Sequence, residues 1–245
     1  MSDADSFKLI LLLARPAAGK SEIIDYLKNI PLDERITRFH VGKIAELDDF
    51  PMLWNWFEED AILEKLGRPR LHTDSKGYFL DVHFWDVLIE KLCLSYDKLS
   101  RDQVGLSKES TTIMEFSRGA EQGGYQRAFE HLSGRVLDDA SILYIQVSWE
   151  ESLRKNRRRF NPERPDSILE HGLPDEKMER LYRDTDWPQI TQGNPEYITI
   201  QGKAVPYAVL ANEDDITTQR GSLLGERLER TFAHLWDLKD KVKTG

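Results

Sequence analysis

The chain has 245 residues, of which 40% are hydrophobic and 31% charged, which is enough apolar material for a folded core and too much for a disordered chain. Asp and Glu number 43 against 34 Lys and Arg, a formal charge of −9, and this argues against a general nucleic-acid binder, because gripping a polyanion takes net positive surface. The one cysteine, Cys93, excludes an internal disulfide framework and suits a reducing compartment, so a cytoplasmic location is expected.

The apolar run Leu9–Ala14 is too short to cross a membrane, and Asp3 and Asp5 precede it where a signal peptide wants basic residues. Phe7 to Leu13 lacks polar alternation apart from Lys8 and reads as a strand buried on both faces, as in a parallel sheet. A small-residue turn, Ala14 to Gly19, leads into a helix over Lys20–Ile30. Thr37–Val41 is expected as a second strand, and Pro51 as the start of a helix carrying Leu53, Trp54, Phe57 and Ile62. Tyr78, Val82, Trp85, Ile89, Leu92 and Tyr96 repeat at helical spacing. Thr111–Phe116 and Ser141–Val147 read as further strands, with a helix over 120–133 between them. Ser148 and Glu151 have the spacing of a capping box, so a helix starts there. Residues 160–195 are polar and contain five prolines and one short helix near 175–185. Tyr197–Gln201 and Val205–Leu210 are strands, and Leu223–Val242 is a closing amphipathic helix.

Strands alternating with helices predict an α/β fold, a parallel sheet sandwiched by helices in one domain. Segments 30–75 and 155–195 interrupt the alternation. They are expected to cover a site at the carboxyl ends of the strands, where such sheets bind ligands.

The turn after the first strand reads Ala14-Arg15-Pro16-Ala17-Ala18-Gly19-Lys20-Ser21, the pattern A-x-x-x-x-G-K-S. Gly19 lets backbone approach a phosphate, Lys20 reaches β- and γ-phosphates, and the Ser21 hydroxyl suits Mg²⁺. The amides of Arg15, Ala17, Ala18 and Gly19, backed by a helix N-terminus, favour an anion. The loop resembles that of small P-loop kinases, the nucleoside monophosphate kinases and their metabolite-phosphorylating relatives, in which Pro often takes the third position. It departs from them at Ala14 and Ala17, where Gly is common.

That resemblance implies a phosphotransferase using ATP and Mg²⁺ on a small-molecule acceptor, with 30–75 as the acceptor-binding insert and 155–195 as an Arg-rich lid. Six basic residues fall within 154–164 against the single acid Glu163, a compact positive segment on an acidic chain. Arg154 and Arg158 match the family's paired lid arginines, and Arg180 and Arg183 fall where a second basic pair returns. Arginine forks match phosphate oxygens and stabilise charge on a transferring phosphoryl group.

Glu115, at the end of its strand, is similar to the acid that helps hold Mg²⁺ in such kinases, and Arg118 is placed to bind an acceptor phosphate. Asp48-Asp49-Phe50 is similar to the Asp-Asp-Phe-Tyr of uridine-kinase-like enzymes. Asp48 or Asp49 could take the proton of an attacking hydroxyl, or cap the helix opening at Pro51. Val209 to Asp215 resembles the segment that closes the sheet beside adenine, although Asn and Asp there suit a plain turn as well.

The six histidines show no metal-ligand spacing. Trp54, Trp56 and Trp85 fit a core better than a platform for a flat acceptor. A nucleotide-binding regulator with little turnover and a kinase acting on nucleic-acid ends are the competing functions. The acidic balance of the chain weighs against the second.

Overall fold

The computed structural model describes residues 6–102, 109–159, 163 and 172–244. Among these residues six strands form one sheet: β1 (Leu9–Ala14), β2 (Lys43–Asp48), β3 (Ser110–Phe116), β4 (Ala140–Gln146), β5 (Tyr197–Ile200) and β6 (Lys203–Ala211). Their order is β2-β3-β1-β4-β6-β5, parallel throughout except for β5, which pairs antiparallel with β6 at one edge. The fold is thus α/β with a mostly parallel sheet.

Every residue of β1 is buried. Leu9, Leu11 and Leu13 face one core and Ile10, Leu12 and Ala14 the other, which is why the sequence shows no polar alternation. Against the first core pack α4 (His83–Asp102), α5 (Gly124–Glu130), α6 (Gly134–Asp139) and α9 (Trp187–Thr191). Against the second pack α1 (Lys20–Lys28), α2 (Leu32–Phe39), α10 (Ile216–Gln219) and α11 (Ser222–Thr244). Burying each such Leu or Ile side chain is worth roughly 1.5–3 kcal/mol. Three more helices, α3 (Asp49–Lys65), α7 (Trp149–Arg159) and α8 (Asp175–Tyr182), follow strand ends or flank the cleft described below.

The strand expected at Thr37–Val41 is not one. Thr37–Phe39 are the last turn of α2, and His40 ends it in the left-handed region at φ 53°. Arg35 decides the matter: it is buried, and its guanidinium donates to Leu27 O at 3.0 Å and Val41 O at 3.3 Å, tying α2 to its neighbours. The strand comes later, as β2, and pairs with β3 at the sheet's edge. Segment 30–75 therefore contributes α2 and a sheet strand as well as the covering helix α3. That helix starts at Asp49, with Asp48 as its N-cap accepting from Phe50 N at 2.9 Å, so Pro51 lies within the first turn. The helix expected over 120–133 is broken into a 3-10 turn, Ala120–Gln122, and α5, because Gly123 and Gly124 both take positive φ. At Ser148 half of the capping box forms, Glu151 N donating to Ser148 Oγ at 3.2 Å, while Glu213 takes the Ser148 N–H and hydroxyl. Among the described residues no helix is long and apolar enough to cross a membrane.

Candidate functional site

The loop between β1 and α1 is held from behind by three side chains, each taking an alternate backbone carbonyl. Tyr125 Oη donates to Ala14 O at 3.0 Å, Ser152 Oγ to Pro16 O at 2.7 Å, and Asn212 Nδ2 to Ala18 O at 2.8 Å. Ala17 and Gly19 take positive φ, 56° and 110°. Such turns curl successive N–H groups into a concavity that suits an anion, and the N-terminus of α1 adds its dipole. Gly19 is required by space as well as by φ. A Cβ there would lie 2.6 Å from Thr217 Oγ1 and 2.9 Å from Asn212 Nδ2. Ala14, by contrast, is a buried strand residue paired with Ile145, so its backbone is extended and does not call for glycine.

In front of the loop lie the ends of β2 and β3. Lys20 Nζ donates to Ser117 Oγ at 2.8 Å, and the Ser21 side chain is exposed to the cleft. Asp48 and Glu115 are register partners on adjacent strands. Burial pushes the Glu115 carboxyl up to about 7; Lys20 opposes the shift, and Asp48 and Asp49 reinforce it. Burial and the neighbouring Asp49 push Asp48 up to about 6, against the Phe50 N–H and Lys20. Two crowded carboxylates and an exposed hydroxyl are hard oxygen donors of the kind that hold Mg²⁺ together with substrate phosphates. Among the described residues no group of three or more His, Cys, Asp or Glu forms a metal cage by itself.

Asp49 and Arg118 do not act separately. Arg118 Nη1 meets Asp49 Oδ2 at 2.6 Å, with both residues buried. The same guanidinium lies 5.1 Å from the Trp85 ring centre and donates to Ser117 O at 2.8 Å.

A cleft of about 600 Å³ opens from the loop between α3, residues 75–85 and α8. Phe50, Trp54, Phe57, Tyr78, Phe79 and Trp85 line it. Trp56 instead packs in the core, stacked on His72 at 5.2 Å. Lys177 and Arg180 of α8 reach over Tyr78, at 5.1 and 4.3 Å, and Arg180 pairs with Glu121 at 2.6 Å.

The basic helix α7 is turned differently from expectation. Arg154 and Arg158 are exposed and point to Asp215, at 2.9 and 3.5 Å, which Lys155 also approaches at 2.9 Å. Burial would raise Asp215, but hydrogen bonds from Thr218, Lys155 and Arg154 outweigh it and hold the carboxyl at about 2. The α7 residues on the cleft are Asn156 and Arg159. Asn156 clamps Leu173 through both N–H and C=O, at 3.0 and 2.7 Å, and Arg157 pairs with Asp175 at 2.6 Å, so α7 and α8 are joined. Arg15 Nη2 donates to Arg183 O at 2.8 Å, and Arg183 itself pairs with Glu179. Arg164 lies outside the described residues.

Tyr125 and Ser152 were not legible as loop residues, because each reaches the loop only through the tertiary fold. Asn212 is more than the turn residue its sequence suggests. It is fully buried, and its contact with Thr217 at 2.8 Å locks the β6–α10 connection to the loop.

No family model matches the chain. A stretch of 73 residues is 40% identical to part of the Co-chaperone protein DjlA of Haemophilus influenzae, covering 26% of this chain and 25% of that protein. The chain thus matches about a quarter of that relative's length.

Proposed function

We propose that the chain is a P-loop kinase, moving the γ-phosphoryl group of ATP to a small acceptor in the aromatic cleft. The observation that carries this reading is the 14–21 loop. Its carbonyls are pinned on buried donors, and it opens a helix directly behind a buried parallel strand. Lys20 and the loop amides would hold the β- and γ-phosphates. The donors present fit Mg²⁺: Ser21 with Glu115. The ion would neutralise charge shared between the phosphates.

Asp48 is the better base for a hydroxyl acceptor. Asp49 is engaged by Arg118, whereas Asp48 sits near Lys20 at the strand end. Arg159, on the cleft side of α7, is better placed over a transferring group than Arg154 or Arg158. Ala14 lies in the strand, paired with Ile145, which supports a catalytic reading over a non-catalytic regulator.

The test is ADP formation from Mg-ATP across nucleosides, nucleoside monophosphates, sugars, sugar acids and oligonucleotide ends. Acceptor-dependent turnover that disappears in Lys20→Ala is the expected result. Mg-ATP that neither binds nor turns over in the unmodified chain would end this reading.

A further inference from the structure

The outer cleft carries two kinds of surface that speak to its acceptor. The walls are aromatic: Trp54 and Phe57 from α3, Tyr78 and Phe79 from the connection before α4, and Trp85 at its start. Flat rings of this kind gain most from a flat partner, which they stack on or meet edge to face. Three arginines that line the cleft are each matched by a carboxylate, while Arg159 and Lys76 line it as well. Arg118 is held by Asp49 at 2.6 Å, Arg180 by Glu121 at 2.6 Å, and Arg70 by Glu64 at 2.9 Å. Lys177 donates to Gly77 O at 3.2 Å and rests over two aromatic rings.

A phosphate entering beside Arg118 would have to displace Asp49, stranding a buried carboxylate without its partner. A hydroxyl compound makes no such demand. Asp48, one residue earlier, lines the cleft together with Lys20 and accepts from Phe50 N at 2.9 Å.

We propose that the acceptor is an uncharged compound with a flat ring system and a free hydroxyl, and that the paired Arg118 and Asp49 exclude phosphate-bearing acceptors. This rests on the phosphotransferase reading above. In the step, the hydroxyl oxygen forms a bond to the γ-phosphorus of ATP. The bond from that phosphorus to the β,γ-bridging oxygen breaks, and its electron pair leaves with ADP. The hydroxyl proton passes to the Asp48 carboxylate and then to water. The products are the phosphorylated acceptor, ADP and one proton.

The experiment uses the full chain with Mg-ATP and matched acceptors: a purine nucleoside, a pyrimidine nucleoside and a hydroxymethylpyridine, each beside its monophosphate, with glycerol as the ring-free alcohol. Binding is read separately for each compound, by quenching of tryptophan fluorescence and by calorimetry. At least one ring alcohol is expected to raise ADP formation about tenfold over the acceptor-free rate, with its monophosphate and glycerol about tenfold poorer. Trp54→Ala should raise KM for that alcohol about tenfold and leave Mg-ATP affinity unchanged. Asp49→Asn should narrow the gap between the alcohol and its monophosphate by freeing Arg118, with its melting curve recorded alongside. A monophosphate or glycerol that matches or beats every ring alcohol overturns the proposal. So does a chain that binds Mg-ATP through Lys20 yet neither binds nor phosphorylates any ring alcohol, an outcome that leaves the kinase reading standing. Absence of Mg-ATP binding removes the kinase reading and the proposal together.

Discussion

Asn212 Nδ2 lies 2.8 Å from Ala18 O, so a residue at the end of the sixth strand fixes the carbonyl that precedes Gly19. Its second bond, to Thr217 Oγ1, and the Thr217 N–H donated back to Asn212 Oδ1 at 3.3 Å close a buried loop of polar contacts. Replacing Asn212 by Ala leaves the Ala18 carbonyl and the Thr217 groups without these partners. The expected cost is about 1–3 kcal/mol of stability. Mg-ATP should bind about tenfold more weakly, since the carbonyl is freed to turn toward the phosphates. Thermal unfolding and calorimetric titration test both. An Asn212→Ala chain with unchanged nucleotide affinity would show that the loop holds its shape without this clamp.

Ala17 takes the left-handed conformation at φ 56°, a region an L side chain enters at a cost of roughly 1–2 kcal/mol. Glycine relieves that cost but loses more chain entropy on folding, by roughly 0.4–1 kcal/mol. Ala17→Gly should therefore stabilise the protein slightly, by up to about 1 kcal/mol, and preserve nucleotide binding. Chemical denaturation midpoints at constant slope measure it. A clear loss of stability would mean that the Ala17 methyl makes a compensating contact.

Glu115 and Asp48 both have carboxyls raised by folding, to about 7 and about 6. A raised carboxyl means that the folded state binds more protons than the unfolded one between the two pKa values. Stability from these groups is therefore greatest below pH 4 and falls as the pH rises to 7. Glu115→Gln removes one ionisation from this crowded pair. In a chelating buffer without nucleotide, the variant should gain stability at pH 8 relative to the parent, by up to about 3 kcal/mol, and gain little at pH 4. Melting temperatures across this range read the effect. A gain equal at both ends would tie it to packing and not to charge.

Legibility in the sequence followed the range of the interaction. β1, β3 and β4 are sandwiched between layers, so their apolar runs announce them. β2 is an edge strand with no fully buried residue, and its Lys-Ile-Ala-Glu-Leu-Asp carries only a faint pattern. Thr37–Val41 has the stronger strand pattern, because nothing local reveals that Arg35 is buried as a tie between α2 and α1. The loop motif was legible because its residues are consecutive and its chemistry is local. The Asp49–Arg118 pair spans 69 positions and the Asn212–Ala18 bond 194, so both depend on the sheet order. In α7 the difference is one of rotation. Successive helical residues point about 100° apart, so Arg158 can face Asp215 while Arg159 faces the cleft.

Asp60 carries the connection that follows α3. Fully buried, it accepts from Leu71 N at 2.7 Å, His72 N at 3.1 Å, Thr73 N at 2.6 Å and Thr73 Oγ1 at 2.7 Å. Burial alone would raise its carboxyl, but these donors outweigh that and hold it at about 2. The folded pKa is depressed, so the stabilisation is complete above pH 4 and disappears as the pH falls toward 2. Asp60→Asn keeps the shape but turns an acceptor-only group into one with two donors, facing backbone N–H groups that need acceptors. A loss of about 2–4 kcal/mol is expected at pH 7, shrinking as the pH falls toward 2. Arg70, bound to the Thr73 carbonyl and hydroxyl at 2.9 and 2.8 Å, should lose its place on the cleft rim, and acceptor affinity should drop with it. Mg-ATP affinity should hold, because Asp60 lies in the later turns of α3 and its bonds run to residues 71–73, not to the phosphate loop. Denaturation at pH 7 and pH 3, with titrations of both ligands, separates these effects. Equal weakening of acceptor and nucleotide would mean that the knot at Asp60 supports the whole cleft and not its outer wall alone.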